Sequence, residues 1–266
     1  MALRLAIVFV LFTSFPNLVF SQKLLEDLYD LYTPELISEN NIYQVNIEVN
    51  SIEKEKLTFN KQGQVETDIE FKNWATGDTT IKYYTYSNNL KTQVIHLDFG
   101  TGDTLSYDNF NYNNEKVLVG IEGMNSTNNT KTDFWYYENG FLKESLMVMT
   151  FSIGGDTSRV DHSFYDELGR KMRLERTHYN GSVEVTHYVY NENTIDVKKR
   201  NEVTKELYVS STMEFNKELR VTKVINFKPS TLDIQDVLII EYSETGLVKE
   251  LNGKENTKIK FTYQYY

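Results

Sequence analysis

Three aspartates that recur at one position of a repeated turn are the clearest candidate metal ligands in this chain of 266 residues. They are Asp78, Asp103 and Asp156, each between a glycine and a threonine. Carboxylate oxygens are the ligands that calcium prefers. Gly-Asp-Thr is also typical of a turn in which Asp bonds its own backbone, and the spacing of an EF-hand loop is absent. We therefore predict that these aspartates shape turns and that the chain holds no metal or other cofactor, with the three positions as the candidates to test.

The histidines and nucleophiles do not form a recognisable catalytic set. His162 and His187 each precede a regularly spaced tyrosine by three residues, and hairpin pairing predicts Arg173 opposite the first and Leu174 opposite the second. A cation beside a metal ligand is unfavourable, and zinc sites gather three or four ligands. The chain has no cysteine, no Gly-x-Ser-x-Gly and no His-Glu-x-x-His. The sequence predicts ordinary strand histidines and a protein that is not an enzyme.

Aromatic side chains that alternate along several segments are the candidate ligand-binding residues. They form the pairs Tyr84 and Tyr86, Phe110 and Tyr112, and Trp135 and Tyr137. Rows of rings stack on sugars or peptide side chains, but aromatic cross-strand pairs also stabilise ordinary sheets. The ordinary sheet interpretation is favoured, and the ligand-binding candidates are Tyr84, Tyr86, Trp135 and Tyr137.

A ladder of aromatic residues, each just before a short polar turn, runs along the whole chain. Its members are Phe59, Tyr86, Tyr112, Tyr137, Tyr165, Tyr190, Phe215 and Tyr242. Successive members are 25 to 28 residues apart. Self-similarity at such a fixed period is typical of a repeat architecture. Turn glycines such as Gly63 and Gly140 supply the positive φ that hairpins require, so each repeat is predicted to be one β-hairpin.

The predicted fold is all-β, a long antiparallel up-and-down meander of about eight hairpin repeats, with a period of about 26 residues. We expect sixteen or seventeen strands within residues 41–266, curled or partly closed because twist prevents a long sheet from staying flat. Residues 22–40 form an N-terminal helical segment, with a helix over Lys23 to Ser38 that restarts at Thr33-Pro34 as a cap followed by proline.

Two short segments resemble known repeat families. Residues 164–171, in which Tyr165-Asp166 precedes Gly169-Arg170, resemble the YD repeat of Rhs-type proteins. Residues 135–144, around Glu138-Asn139-Gly140, resemble the variant MORN repeat of bacterial antitoxin-like proteins. Both resemblances imply a fold of successive β-hairpins and imply no particular function here.

The first residues and the net charge of the chain limit its possible cellular location and partners. Arg4, an apolar run from Leu5 to Phe15 and the small Ser21 predict a signal peptide over residues 1–21. The absence of cysteine excludes a lipoprotein and favours a bacterial periplasmic or extracellular location. A net charge of −10 argues against nucleic acid and anionic membrane surfaces as partners.

The sequence therefore predicts an exported, non-catalytic repeat protein that serves as a binding or scaffold module for an unknown protein or glycan. Two alternatives remain open. The strand number and simple meander also suit an outer-membrane β-barrel, although membrane association is not the favoured prediction. A curved sheet is also suited to a periplasmic carrier of an apolar ligand.

Overall fold

The computed structural model describes residues 33–71, 79–151, 155–200, 206–218, 220–228, 233–254 and 257–266. The predicted signal peptide and the first part of the predicted helix lie outside these residues. The described part holds one helix, α1 (Pro34–Glu39), and eighteen strands. The strands are β1 (Ile42–Val49), β2 (Ile52–Phe59), β3 (Val65–Glu70), β4 (Thr80–Ser87), β5 (Leu90–Asp98), β6 (Thr104–Tyr112), β7 (Leu118–Asn125), β8 (Asn128–Tyr136), β9 (Leu142–Phe151), β10 (Asp156–Tyr165), β11 (Lys171–His178), β12 (Val183–Tyr190), β13 (Thr194–Arg200), β14 (Leu207–Phe215), β15 (Val221–Phe227), β16 (Ile234–Tyr242), β17 (Val248–Asn252) and β18 (Lys258–Tyr265).

The strands form a complete barrel. Each pairs antiparallel with the next along the chain, and β18 pairs with β1 over Ile42 to Val49. The all-β meander was predicted correctly, but the expectation of a curled or partly closed sheet was wrong, and the predicted strand number was slightly low. Closure satisfies the backbone groups that two free edge strands would otherwise expose.

The turns divide between the two ends of the barrel. We call the end with the turns after the even-numbered strands β2 to β16 the aromatic rim, and the other end the opposite rim. In seven of the eight hairpins at the aromatic rim a register shift falls at an aromatic residue, and in six of these it is the predicted ladder member. In the fourth hairpin that residue is Tyr136, so the predicted Tyr137 is one position off.

Ladder tyrosines join successive hairpins through their hydroxyl groups. The Tyr112 hydroxyl donates to the Lys91 carbonyl at 2.9 Å, and the Tyr242 hydroxyl donates to the Val221 carbonyl at 2.8 Å. In both cases the acceptor is the residue paired with the preceding ladder aromatic, Tyr86 or Phe215. Tyr136 and Tyr190 make the equivalent bonds at 2.6 and 3.0 Å. The repeat is therefore stabilised by side chains as well as by the strand ladder.

One face of the wall is buried in the interior. Residues opposite each other across a strand pair point to the same face, and Val45 and Leu57 are such a pair at 0% and 2% exposure. Their face on β11–β18, β1 and β2 forms one apolar core that also includes Ile37 of α1. Full burial of each aliphatic side chain stabilises the fold by about 1.5–3 kcal/mol.

Helix α1 belongs to the aromatic rim. Thr33 is its N-cap, with the Leu36 N–H donating to Oγ1 at 3.2 Å, and Pro34 follows in the first turn. This predicted helix start is confirmed. Gly63, in the turn between β2 and β3, lies so close that an added Cβ would meet the Pro34 carbonyl oxygen at 1.9 Å.

The outer face of the same half of the barrel is charged. Along β18 the side chains alternate, with Lys258 and Lys260 exposed and Ile259 and Phe261 buried. Cross-strand registers place several mid-strand charges on the outer face, namely Lys56, Asp196, Lys198, Glu214, Lys223, Glu250 and Lys260. This half of the wall is therefore apolar inside and carries many charges outside, together with exposed apolar residues such as Val183 and Ile239.

Candidate functional site

The two candidate aspartates within the described residues, Asp103 and Asp156, do not meet in space. Asp78 lies outside the described residues. Asp103 and Asp156 both lie at the opposite rim, but strands β6 to β9 separate them, which amounts to roughly 20 Å. The described residues contain no group of three or more histidine, cysteine, aspartate or glutamate side chains that could hold a metal. The turn-shaping role stays a prediction.

The aspartate that makes backbone bonds in the turn after β5 is Asp98, which the sequence did not single out. Its Oδ1 accepts from the Thr101 backbone N–H at 2.7 Å and from the Thr101 hydroxyl at 3.0 Å. These bonds hold the pKa of Asp98 below its ordinary value. Asp103 instead uses its backbone N–H to donate to Thr101 Oγ1.

The two candidate histidines lie on the outer wall, and their predicted partners were wrong. His162 faces Glu175, and its Nδ1 lies 3.2 Å from Glu144 Oε2. His187 faces Arg173. Desolvation is the main cause that lowers the pKa of His187, and the positive charge of Arg173 lowers it further. The register shift at Tyr165 changes the partner of His162, and the turn that pairs His178 with Ser182 changes the partner of His187. Both predicted partners were therefore wrong, although Arg173 still faces a histidine, which is His187 and not His162.

The four candidate ligand-binding aromatics do not share one surface. Tyr84 lies on the inner face, because it stands two residues after Lys82, whose partner Asp68 pairs with the inward Leu57. Tyr86 follows on the same face two residues later. Trp135 lies on the outer wall and is 44% exposed. Tyr137 begins the turn after β8, where its N–H donates to the Phe141 carbonyl. Only Tyr84 and Tyr86 remain together.

The inner face of β6 to β9 carries a different set of apolar residues, which we call the apolar wall: Phe110, Ile121, Phe134 and Met147. Phe110 faces Ile121, which faces Thr132, which in turn faces Met147. All four members of the wall are only partly buried. Large apolar side chains that stay partly accessible on a concave surface are typical of ligand sites.

Lys91 stands beside this wall. Its Nζ lies 4.4 Å from the centroid of the Phe110 ring and 5.9 Å from that of Tyr84. Desolvation lowers the pKa of Lys91, and the Asp108 charge works against that shift. No ion pair within 4.0 Å joins Lys91 to a carboxylate of the described residues.

Two ion-pair clusters flank the apolar wall inside the barrel. On one side, Lys82 contacts Asp68 at 2.9 Å and also Glu70. Burial alone would lower the pKa of Lys82, but these two carboxylates raise it above its ordinary value. On the other side, Arg176 binds both oxygens of Asp161 at 3.0 Å. Sequence reasoning named Phe110 among the aromatic pairs but missed the rest of the wall and both clusters, because inward positions are set by register.

Comparisons with known proteins give only weak likenesses. No family model matches the chain, and no curated protein does. Similar solved structures include a porin-like protein from Bacteroides uniformis ATCC 8492, at 8% identity and a TM-score of 0.44, covering 85% of this chain and 97% of that one. A porin-like protein from Bacteroides vulgatus ATCC 8482 has 14% identity and a TM-score of 0.31, covering 85% and 99%. A chain of the TcdB2-TccC3-Cdc42 complex has 11% identity and a TM-score of 0.26, covering 75% of this chain and 15% of that one. Likenesses this weak establish no common function.

Within the described residues, no helix is long and apolar enough to cross a membrane.

Proposed function

We propose that the chain is an exported, non-catalytic binding protein that takes an apolar ligand into the half of its interior lined by the apolar wall. The observation that carries this proposal is the partial accessibility of Phe110, Phe134 and Met147 on the inner face of a closed barrel. The protein- or glycan-binding surface expected from the sequence is less well supported, because Trp135 and Tyr84 lie on different faces.

The outer wall supports a barrel that stays in water. A lysine or arginine on the lipid face of a membrane barrel costs about 2–4 kcal/mol at the bilayer midplane. Lys56, Lys198 and Lys260 all lie on the outer face, and apolar residues occupy the inner face of the same strands. This polarity is the reverse of that in a barrel with a water-filled channel.

An outer-membrane barrel is the second candidate. A closed ring of eighteen antiparallel strands is the arrangement such proteins use. On β4, β6 and β7 the outer face also carries exposed apolar residues, among them Tyr83, Leu105 and Met124. These observations favour membrane insertion of one half of the wall, whereas the charged half opposes it.

Two neighbouring residues on β9 separate the candidates, because Met147 points inward and Val148 outward. We expect Met147→Lys to weaken binding of the neutral fluorescent probe N-phenyl-1-naphthylamine at least roughly tenfold, since a buried cation in an apolar site is strongly unfavourable. Val148→Lys should leave probe binding and solubility unchanged.

Cell fractionation tests the second candidate directly, because it shows whether the protein is in the outer membrane. A protein found in the outer membrane, with Val148→Lys blocking its assembly there, would establish the second candidate. Melting temperatures of both variants show whether each still folds, and Met147→Gln provides a milder inward change.

A further inference from the structure

We propose that the ligand carries a carboxylate head group and that Lys91 binds it, with the apolar tail against the apolar wall. This inference rests on the proposed function and names the ligand class.

Lys91 has the properties of an anion site. Its ammonium is partly desolvated on the inner face and lies over the Phe110 ring at 4.4 Å, where a ring supplies weaker compensation than a carboxylate. Asp108, whose charge raises the pKa of Lys91, lies 3.9 Å from His96 Nε2 and forms no ion pair with Lys91 within 4.0 Å. A bound anion would therefore supply the partner that the described residues do not.

Three other inward cations of the described residues, Lys82, Arg159 and Arg176, already form ion pairs. Lys82 is shared between Asp68 and Glu70. Arg176 takes both oxygens of Asp161, and Arg159 lies 3.5 Å from the same carboxylate. An incoming carboxylate would have to compete with these ion pairs, whereas no carboxylate of the described residues lies within 4.0 Å of the Lys91 ammonium.

The position of Lys91 also fixes the orientation of the ligand. The Phe110 ring lies next to the Lys91 ammonium and is the first member of the apolar wall. From Phe110 the wall continues away from Lys91 to Ile121 and then to Met147. A molecule with its charge at Lys91 therefore extends its tail across β6 to β9. A medium-chain fatty acid combines these two features.

The test compares dodecanoate with dodecan-1-ol, each measured by displacement of N-phenyl-1-naphthylamine. We expect Lys91→Met to weaken dodecanoate binding roughly 10- to 100-fold, as for loss of a charge-assisted hydrogen bond. Dodecan-1-ol binding should change less than about twofold, since it carries no charge. Lys91→Arg keeps the charge and should retain most of the dodecanoate affinity.

Arg159→Met is the matched control on the same interior surface and should leave dodecanoate affinity within about twofold of the wild type. Equal losses for acid and alcohol, or a loss in Arg159→Met instead, would overturn the assignment to Lys91. If wild type binds the alcohol as tightly as the acid, the carboxylate preference fails alone. If it binds neither, the proposed function fails with it.

Discussion

The ladder tyrosines use both parts of the side chain. The ring fills the inner face beside a turn, and the hydroxyl satisfies a carbonyl one hairpin away, as in Tyr242 to Val221. A phenylalanine such as Phe215 fills the same position without that bond. The aromatic ring is therefore common to every member of the ladder, whereas the hydroxyl hydrogen bond is made only by tyrosines.

Tyr242→Phe tests the hydrogen bond alone. We expect the free energy of unfolding, measured with urea, to fall by about 1 kcal/mol, because the ring stays and the Val221 carbonyl loses its donor. Tyr179→Phe is the control, since Tyr179 is 71% exposed in a turn. A loss of the same size in both variants would show that the hydroxyl bond is not the cause.

The sequence identified most of these residues because the period is regular. It missed Tyr136, because two tyrosines stand side by side and both precede the glycine of the turn. The backbone bonds decide between them, since Gly140 donates to the Tyr137 carbonyl and so places Tyr137 inside the turn. Local composition does not contain that information.

The turns and the helix meet at one end of the barrel. Gly63 and Gly140 have similar φ values, +76° and +84°, in equivalent turns. Around Gly140 there is open space, whereas Gly63 lies against the first turn of α1. Gly140 is therefore required only for its positive φ, whereas Gly63 is required both for its positive φ and for the close approach of α1.

We expect Gly140→Ala to cost about 1–2 kcal/mol of stability, the cost of a left-handed conformation with a side chain. Gly63→Ala should cost at least about 1 kcal/mol more, because overpacking against Pro34 adds to it. Chemical denaturation measures both. Equal costs would mean that α1 moves away freely and does not hold the aromatic rim.

The helix start was predictable because a threonine cap before proline is a local pattern. The interior was not. Whether Lys82 faces Asp68 depends on the register of β3 against β4, which neither strand's sequence specifies by itself. Closure of the barrel was equally unpredictable, because the sequences of β1 and β18 do not indicate that these two strands pair.

The barrel as a whole concentrates tyrosines on its inner face, and this sets its response to alkali. Burial raises the pKa of Tyr86, Tyr190 and Tyr242 to about 12. An unfolded tyrosine titrates near about 10. These groups therefore contribute stability that is complete below about pH 10 and is lost as the pH rises toward about 12.

Unfolding free energies measured with urea across this range should fall steeply above about pH 10. The absorbance of tyrosinate should appear together with loss of the β-sheet signal in circular dichroism. Lys171 acts with the opposite sign, because burial lowers its pKa to about 8 and so stability rises between about pH 8 and 10. Ionisation of most tyrosines in a still-folded barrel would contradict the expected coupling.

The pairing of β18 with β1 also imposes a parity rule on the chain. In a ring where every neighbour runs the other way, an odd number of strands would leave one parallel seam with a mismatched bonding pattern. A length variant that keeps the ring intact must gain or lose strands two at a time. The width of the interior is therefore not a continuous variable: it changes in steps of one hairpin, each bringing its own aromatic and its own turn.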